Sequence, residues 1–380
     1  MKKIVFVSSM FRSGTTFVAR MLNVHPEIVC ASDPMRPLVN SFRFDLADDT
    51  YRSSHLRHDP LDDYFLQNTS LLDRILEADL SIPITESPRE LLLAVQRRAE
   101  PFSGLYADLL DPDRTVGTYQ DAVAYLLDLV EQSYANNRKN QIVAFKEVWA
   151  NEFYPAMRRS FPGTKCLLII RDPRSVVASK VATSEPYPLS FMGRHWRKLA
   201  WVTAYLRDAY PDDVLVMRYE DLVGAPESHV RRLCDFFGVA YDPSLLNTSL
   251  YKDGRQRDWK QNTSFSIEGS TGINTQTVER WRSLLTPTEI ASLELYTYDW
   301  MKVFGYNPVS SRDELLNLGL RDYKRYRDAE LAEWVRPFSF DEKEGAVESA
   351  ILIEKLRLAN SEHIPKHLRK GMHLAWWGNE

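Results

Sequence analysis

The chain lacks several features that would assign it to a specialised class of protein. Only 3 of its 380 residues are cysteine, so no disulfide framework is implied and reduced thiols in a cytoplasm are the simplest account. The 48 Lys and Arg residues are outnumbered by 52 Asp and Glu, for a net charge of -4, which gives no argument for a nucleic-acid partner or an acidic membrane surface. Sequence repeats, low-complexity segments, His–Cys metal clusters and long heptad runs are also absent.

A long hydrophobic run is missing from the amino terminus as well. Lys2 and Lys3 are followed by only four apolar residues, Ile4–Val7, whereas a membrane-spanning helix needs about 20. The run is also too short for the apolar part of a signal peptide. The sequence therefore favours a cytoplasmic protein with no membrane partner. With 44% hydrophobic and 26% charged residues, the chain has enough apolar residues for a large core, and disorder is not expected.

The sequence begins with a short predicted strand, which is followed by a polar turn and the start of a helix. Ile4–Val7 is apolar and β-branched, as in a strand buried on both faces, and Phe17–Leu22 has helical spacing. Gly14, in the turn between them, lets the backbone approach a ligand closely. The N–H groups of residues 13–16 lie at the positive end of the helix, where an anion is stabilised. The run predicts a phosphate-binding cradle, to which Arg12 adds a positive charge.

The turn differs from an ATP-binding P-loop, which reads G-x-x-x-x-G-K-[ST]. Ser9 stands where that motif has its first Gly, and Thr15 stands where it has Lys. The run RSGTTF instead resembles the 5′-phosphosulfate loop of sulfotransferases that use 3′-phosphoadenosine 5′-phosphosulfate (PAPS). That resemblance implies that six consecutive residues bind the nucleotide: Arg12, Ser13, Gly14, Thr15, Thr16 and Phe17. Phe17 corresponds to an aromatic that stacks near the adenine, and a core position for it is an equal alternative.

A second strand, turn and helix follows at residues 165–180, KCLLIIRDPRSVVASK. Asp172 can cap the helix, and Pro173 suits its first position. In sulfotransferases the pattern R-[DN]-P-[RK]-[DS]-x-x-x-S binds the 3′-phosphate of the nucleotide, and the resemblance places Arg171 and Ser179 there. The alternative is a capped helix with an exposed Arg. Because both motifs occur in the expected order, we favour the phosphate site.

Strands are predicted at residues 4–8, 142–145, 166–170 and 214–219, and helical stretches long enough for crossovers separate them. The expected fold class is α/β, with a central parallel sheet flanked by helices in the P-loop NTPase-like sulfotransferase fold. Ligands bind such sheets at the carboxyl ends of the strands, where both phosphate motifs fall.

Three segments complete the predicted organisation. Residues 1–310 form the sulfotransferase domain, and the resemblance implies that a helical insertion at 37–140 shapes the acceptor pocket. Residues 311–380 form a helical extension packed on the core, which could also mediate a homo-oligomer. In the polar stretch before Trp281, the resemblance implies that Lys260 and Ser264 contact the nucleotide.

The resemblance implies transfer of the sulfuryl group from PAPS to a hydroxyl, with 3′-phosphoadenosine 5′-phosphate (PAP) as product. The expected acceptor is a small molecule, a natural product or a carbohydrate. Arg12 would act as a fixed charge on the leaving oxygen, by analogy with phosphoryl transfer, and no metal is required. Three alternatives stay open: N-sulfation of an amine or guanidinium-type nitrogen, a P-loop kinase or hydrolase, and an inactive nucleotide-binding scaffold.

The acceptor hydroxyl must lose its proton to a carboxylate or a histidine within hydrogen-bond reach. Asp33 ranks first among the candidate bases. When the chain is aligned without gaps from Arg12 onward with the tyrosylprotein sulfotransferases, which it resembles here, Asp33 corresponds to their catalytic Glu. Asp is shorter than that Glu, and Met35 stands where those enzymes have Arg.

Glu147 ranks second, at the end of a predicted strand. The neighbouring Lys146 matches the Lys of the K-T-H motif in cytosolic sulfotransferases, which touches the sulfuryl group, whereas Val148 replaces the His of that motif. His25 ranks third, because next to Pro26 it more readily just ends the first helix.

Overall fold

The computed structural model describes residues 3–54, 57, 69–103, 106, 109–134, 141–181, 187–252, 273, 275–319 and 346–360. The described residues fall into two compact units. The first unit is drawn from residues 1–60, 70–169 and 206–275, and the second from 61–69, 170–205 and 276–380. Within the described ranges, no helix has the length and apolar character needed to cross a membrane.

The described secondary structure alternates between strands and helices. The strands are β1 (Lys3–Ser9), β2 (Ile28–Ser32), β3 (Ile142–Val148), β4 (Lys165–Ile170) and β5 (Val214–Arg218). The α-helices are α1 (Thr15–Leu22), α2 (Arg36–Asp45), α3 (Asp49–Ser54), α4 (Thr69–Glu77), α5 (Pro88–Ser103), α6 (Tyr119–Ser133), α7 (Tyr154–Ser160), α8 (Pro173–Val181), α9 (Leu189–Ala209), α10 (Tyr219–Gly224), α11 (Pro226–Phe237), α12 (Trp281–Leu284), α13 (Pro287–Val303), α14 (Arg312–Leu316) and α15 (Ala346–Asn360). Short 3₁₀ helices cover Asn151–Phe153, Pro243–Leu246 and Thr248–Leu250.

The strands form one sheet in the order β2-β3-β1-β4-β5. Strand β1 is parallel to both β3 and β4, and β2 is parallel to β3. Because β1 and β2 are consecutive in sequence but not neighbours in the sheet, the chain between them must cross over, and α1 occupies that connection. The predicted α/β class, a central parallel sheet flanked by helices, is confirmed.

One strand was not predicted, and each of the four predicted strands has at least one different end in the structure. Strand β2 was not predicted, because it is a run of only five residues that follows α1 closely in sequence. The strand predicted to include Tyr219 ends at Arg218, and Tyr219 begins α10. Two acidic residues, Glu220 and Asp221, lie in the first turn of α10, where the helix dipole favours negative charge.

Helices α4, α6 and α9 lie in the helical stretches that were predicted to separate the strands. Helix α6 begins at a capping box. The Thr118 side chain accepts a hydrogen bond from the Asp121 N–H, and the Asp121 carboxylate accepts one from the Thr118 N–H. Such a cap stabilises a helix by roughly 1 kcal/mol, which fixes where this one starts.

Successive side chains along β1 and β3 point to opposite faces of the sheet. Phe6 is in register with Phe145, and Ser8 with Glu147, so these four side chains share one face. The Phe6 and Phe145 rings have centroids 5.0 Å apart. Val7 and Lys146 are in register on the opposite face. The charged side chains of Lys146 and Glu147 therefore leave the end of β3 in opposite directions.

In the second unit, helix α15 packs on α13 and α14 through buried Leu295, Leu315, Ile351 and Leu358. Arg197, on α9, donates to Glu354 from Nη1 at 2.5 Å and from Nη2 at 3.1 Å. Arg357 donates from Nε to the same carboxylate at 2.8 Å. Burial alone would raise the pKa of Glu354, but the two guanidinium groups outweigh it and lower the pKa to about 2. The carboxylate is therefore held ionised.

Candidate active site

The turn between β1 and α1 has the geometry of an anion-binding site. Val18 N donates to the carbonyl of Gly14 at 3.1 Å, which is the first hydrogen bond of the helix. The N–H groups of residues 14–17 therefore have no acceptor within α1. Ser13 N donates to the carbonyl of Met10 at 3.3 Å. The prediction that Ser13 also offers a free N–H was wrong, because this hydrogen bond closes the turn.

Gly14 is required at its position for two reasons. Its φ is 88°, in the left-handed region that disfavours side chains. A β-carbon there would also lie 2.4 Å from Cδ2 of Tyr219. The Tyr219 ring thus packs directly against the turn.

The Ser13 hydroxyl is the strongest sign of a ligand at this turn. Ser13 is 1% exposed, and its Oγ has no hydrogen-bond partner among the described residues. A buried polar atom without a partner costs about 1–3 kcal/mol. An anionic oxygen at the start of α1 would accept from it, so the residues present fit a bound phosphate or sulfate group.

The other predicted residues of the turn have different environments. Thr15 is buried and Thr16 is half-buried. Phe17 is 3% exposed, with its ring centroid 6.0 Å from that of Tyr251. Of the two positions weighed for Phe17, the structure shows the core position.

Three residues at the carboxyl ends of adjacent strands have left-handed backbone conformations. They are Arg12 after β1 (φ 64°), Asp33 after β2 (φ 53°) and Trp149 after β3 (φ 54°). Non-glycine residues in this region are strained by about 1 kcal/mol or more, and such strain concentrates at functional sites. These three strained residues lie at the edge of the sheet where the sequence predicted that the ligand binds.

Asp33 and Lys146 form an ion pair at this edge. Lys146 Nζ lies 2.5 Å from Asp33 Oδ2, and the Asp33 N–H donates to the Lys146 carbonyl at 2.7 Å. Lys146 is 1% exposed and Asp33 is 9% exposed. The structure thus brings together the first-ranked base and the lysine predicted to touch the sulfuryl group.

Glu147 has a more enclosed position than Asp33. It is 0% exposed, its Oε1 accepts from the Met35 N–H at 2.5 Å, and its Oε2 has no partner among the described residues. Ser8 Oγ lies 2.7 Å from the Glu147 carbonyl oxygen. Burial, together with the negative charge of Asp33, raises the pKa of Glu147 to about 8.

Arg36 belongs to this group but was missed by the sequence analysis. It is 4% exposed, its Nη1 donates to the Val148 carbonyl, and its guanidinium lies 5.6 Å from the centre of the Trp149 ring. Burial and the nearby positive charge of Arg43 lower the pKa of Arg36 to about 10. In a gap-free alignment, Met35 and not Arg36 stands at the position of the arginine of the tyrosylprotein sulfotransferases, so the sequence alone gives no sign of Arg36.

His25 has a structural role. Its Nε2 lies 2.8 Å from the Ala240 carbonyl oxygen, and its Nδ1 accepts from the Glu27 N–H at 3.1 Å. Both ring nitrogens are thus engaged, and the residue is 2% exposed. The structure gives the third-ranked base no free nitrogen for an acceptor.

The residues predicted for the 3′-phosphate lie in the second unit. Arg171 is 3% exposed, donates from Nη2 to the Thr277 carbonyl at 2.9 Å, and accepts at its own carbonyl from Trp196 Nε1 at 2.8 Å. Asp172 accepts from the Arg174 N–H at 2.8 Å, which confirms the predicted cap of α8. Ser179 is half-buried on the same helix. Lys260 and Ser264 lie outside the described residues.

Comparison with known proteins identifies the family. Residues 5–243, well over half of the chain, match the sulfotransferase family. The chain belongs to the sulfotransferase family. Mouse carbohydrate sulfotransferase 2 is 35% identical over 104 residues, which cover 27% of this chain and 19% of that protein. Mouse carbohydrate sulfotransferase 4 is 23% identical over 346 residues, which cover 83% of this chain and 85% of that protein.

The fold is also shared with a solved sulfotransferase structure. The sulfotransferase domain from the Synechococcus PCC 7002 olefin synthase aligns with a TM-score of 0.50 and 24% identity, covering 81% of this chain and 97% of that domain. At this identity the likeness concerns the fold alone. The predicted membership of the sulfotransferases and their P-loop-like fold are confirmed.

Proposed function

We propose that this sulfotransferase transfers the sulfuryl group of PAPS to a hydroxyl of a small-molecule, natural-product or carbohydrate acceptor. The observation that carries the proposal is the Asp33–Lys146 ion pair at 2.5 Å, at the same sheet edge as the phosphate turn. A proton acceptor and a cation at this edge are the groups that sulfuryl transfer requires.

The residues of the phosphate turn are chemically suited to a phosphosulfate group. The N–H groups at the start of α1, the orphaned Ser13 hydroxyl and Arg12 would hold the 5′-phosphosulfate. Arg171 and Ser179 would hold the 3′-phosphate, together with Lys260 and Ser264. PAPS supplies the sulfuryl group on a phosphate oxygen, and PAP is the product.

In the proposed reaction the bond from sulfur to the phosphate oxygen breaks, and a bond from sulfur to the acceptor oxygen forms. Asp33 takes the proton of the acceptor hydroxyl. Lys146 holds the Asp33 carboxylate in position and adds positive charge to the site. Arg12 keeps its proton at any working pH, so it acts as a fixed charge near the departing phosphate. These roles need no metal.

The acceptor class rests on the relatives. The two mouse relatives are named carbohydrate sulfotransferases, so a carbohydrate hydroxyl heads the acceptors to be tested. Amines are the alternative class, because a nitrogen acceptor also forms a bond to sulfur while losing a proton.

Two further proposals concern the setting of the enzyme. A cytoplasmic location is supported by Cys30, Cys166 and Cys234, which are all buried and free of disulfides. A homo-oligomer through the C-terminal helices is supported by Leu352 and Leu356 on α15, which are 58% and 47% exposed.

The proposed function is tested by thermal shift and by transfer assays. PAP should raise the melting temperature more than AMP or ATP with magnesium does. Labelled PAPS should then be screened against carbohydrates, phenols and amines, with and without EDTA. Transfer to a hydroxyl that persists in EDTA is the expected result. Stabilisation by ATP with magnesium but not by PAP would instead indicate a kinase or hydrolase. PAP binding without transfer to any acceptor would favour the scaffold.

A further inference from the structure

The turn after β2 is attached to the end of β3 by a ladder of contacts. Asp33 bonds Lys146 through its backbone N–H at 2.7 Å and through its carboxylate at 2.5 Å. Two residues further on, the Met35 N–H donates to Glu147 Oε1 at 2.5 Å. This last contact is made by a side chain, so the position of the turn depends on the Glu147 carboxyl group.

The two oxygens of that carboxyl group have unequal environments. Oε1 has the Met35 N–H, whereas Oε2 is buried and has no hydrogen-bond partner in the described part of the chain. An ionised carboxylate with one oxygen unsolvated and unpaired is strongly disfavoured in a protein interior. In the neutral acid, a proton on Oε2 would remove the charge and leave Oε1 free to accept from the Met35 N–H.

Charged and titratable groups approach Glu147 from each neighbouring element. Asp33, on the turn after β2, opposes a second negative charge. Arg36 on α2 and Lys146 on β3 favour the charge, but Arg36 bonds the Val148 carbonyl and Lys146 bonds Asp33. Tyr106, after α5, is 1% exposed and interacts electrostatically with Glu147. The Met35 N–H also favours the charge, but the burial of Glu147 and the like charge of Asp33 outweigh these groups and raise the pKa of Glu147.

We propose that Glu147 is a positioning residue, which as a neutral carboxylic acid holds the strained turn that carries Asp33 and takes no proton from the acceptor. The proposal rests on the proposed function, in which Asp33 is the base. Ionisation of Glu147 would add a second buried negative charge, which repels that of Asp33 and so disturbs the carboxylate that the turn carries. Sulfuryl transfer should therefore decline as the pH rises through about 8, the pKa of Glu147.

Two substitutions separate positioning from proton transfer. Glu147→Gln keeps a neutral group with an oxygen that accepts from Met35, so its kcat at pH 7 should stay within about threefold of wild type. Its rate should also no longer decline through pH 8. Glu147→Ala removes the acceptor, and kcat should fall by up to about 10²-fold, because a small displacement of a catalytic group has that effect. The affinity of both variants for PAP should match that of wild type.

Difference infrared spectroscopy on the enzyme without nucleotide measures the protonation state directly. Wild type minus Glu147→Gln at pH 7 should show the carbonyl band of a protonated carboxylic acid. The same band in wild-type protein should disappear as the pH rises through about 8. Glu294→Gln is the matched control, since Glu294 is also buried but both of its carboxylate oxygens accept hydrogen bonds, from the Val309 N–H at 3.0 Å and the Ser310 N–H at 2.9 Å.

The outcomes distinguish this inference from the proposed function. An ionised Glu147 at pH 7, or a Glu147→Gln variant that folds and binds PAP but loses transfer, overturns the positioning role and leaves the sulfotransferase reaction intact. Wild-type protein that shows the acid band but transfers nothing overturns the proposed function instead. The titration of the wild-type band needs no variant, so the inference is tested even where a substitution prevents folding.

Discussion

Lys146 Nζ lies 2.5 Å from Asp33 Oδ2, so the first residue after β2 is joined by charge to the neighbouring strand β3. The Asp33 backbone is left-handed, with φ 53°. The ion pair therefore holds a carboxylate that the local backbone alone would not keep in this place. An enzyme that depends on this carboxylate should be sensitive to its loss.

Asp33→Asn should lower turnover by about 10² to 10⁴, because the amide keeps the shape of the side chain but cannot accept the acceptor proton. PAP affinity, measured by calorimetry, should be nearly unchanged. Asp213→Asn is the control, since Asp213 also pairs with a lysine, Lys165, at 3.2 Å but lies at the other end of the sheet. Near-normal transfer by Asp33→Asn would remove Asp33 as the base.

Ser13→Ala should separate stability from nucleotide binding. The Ser13 hydroxyl is buried without a partner among the described residues, so its removal should not reduce the stability of the nucleotide-free enzyme and should raise it by up to about 1–3 kcal/mol. The stabilisation by PAP should become smaller. Urea denaturation with and without PAP measures both effects, and Ser228→Ala, at an exposed serine, is the control. A less stable free enzyme with unchanged PAP binding contradicts this role.

Arg171→Ala should weaken PAP binding by about 1.5–3 kcal/mol, the net contribution of a hydrogen bond to a charged group. Because Arg171 also bonds the Thr277 carbonyl at 2.9 Å, the melting temperature of the free variant must be measured alongside. AMP, which lacks the 3′-phosphate, should bind wild type and variant alike. The exposed Arg231, which pairs with Glu227 on its own helix, provides the control variant Arg231→Ala. Equal PAP affinity in Arg171→Ala and wild type excludes Arg171 from the site.

Glu354 should make the stability of the second unit depend on pH in the acidic range. Its pKa is lowered to about 2 in the folded protein, from an ordinary value of 4.5. The folded state thus binds fewer protons than the unfolded chain between these values, so the stabilisation is complete above pH 4.5 and is lost as the pH falls through about 2.

Glu354→Gln should remove that acid dependence. It should also lower the free energy of unfolding at pH 7 by about 3–5 kcal/mol, because Arg197 stays buried without its carboxylate, whereas Arg357 keeps Asp299 at 3.4 Å. Glu227→Gln, at an exposed ion pair on α11, should change little. Denaturation monitored by circular dichroism across the acid range provides the measurement. An unaltered stability of Glu354→Gln at pH 7 would show that the ion pairs of Glu354 with Arg197 and Arg357 make no net contribution to the free energy of unfolding.

The phosphate turn could be predicted because its determinants are local. A buried strand, a glycine with φ 88° and the start of a helix lie within twenty residues of the amino terminus. The same holds for α8, whose cap and first proline are adjacent in sequence. Each of these features is formed by residues that follow one another.

The acceptor side was predicted less completely, because its geometry is set by contacts distant in sequence. Strand β2 and the left-handed Asp33 are held by β3, more than a hundred residues later. Arg36 reaches the Val148 carbonyl only because α2 starts where this turn ends. The burial that distinguishes Glu147 from Asp33 depends on the packing around β3, and no local pattern reports it.

The close contact between Gly14 and Tyr219 also constrains how the enzyme can be evolved. A side chain at position 14 meets two obstacles, the left-handed backbone and the ring of Tyr219. Shrinking Tyr219 removes the ring but not the backbone strain. Tyr219 is itself fully buried, so its truncation to alanine is destabilising in its own right, and positions 14 and 219 cannot be varied independently. A library that varies the phosphate turn while keeping Tyr219 fixed will discard variants at position 14 that a jointly varied library would retain.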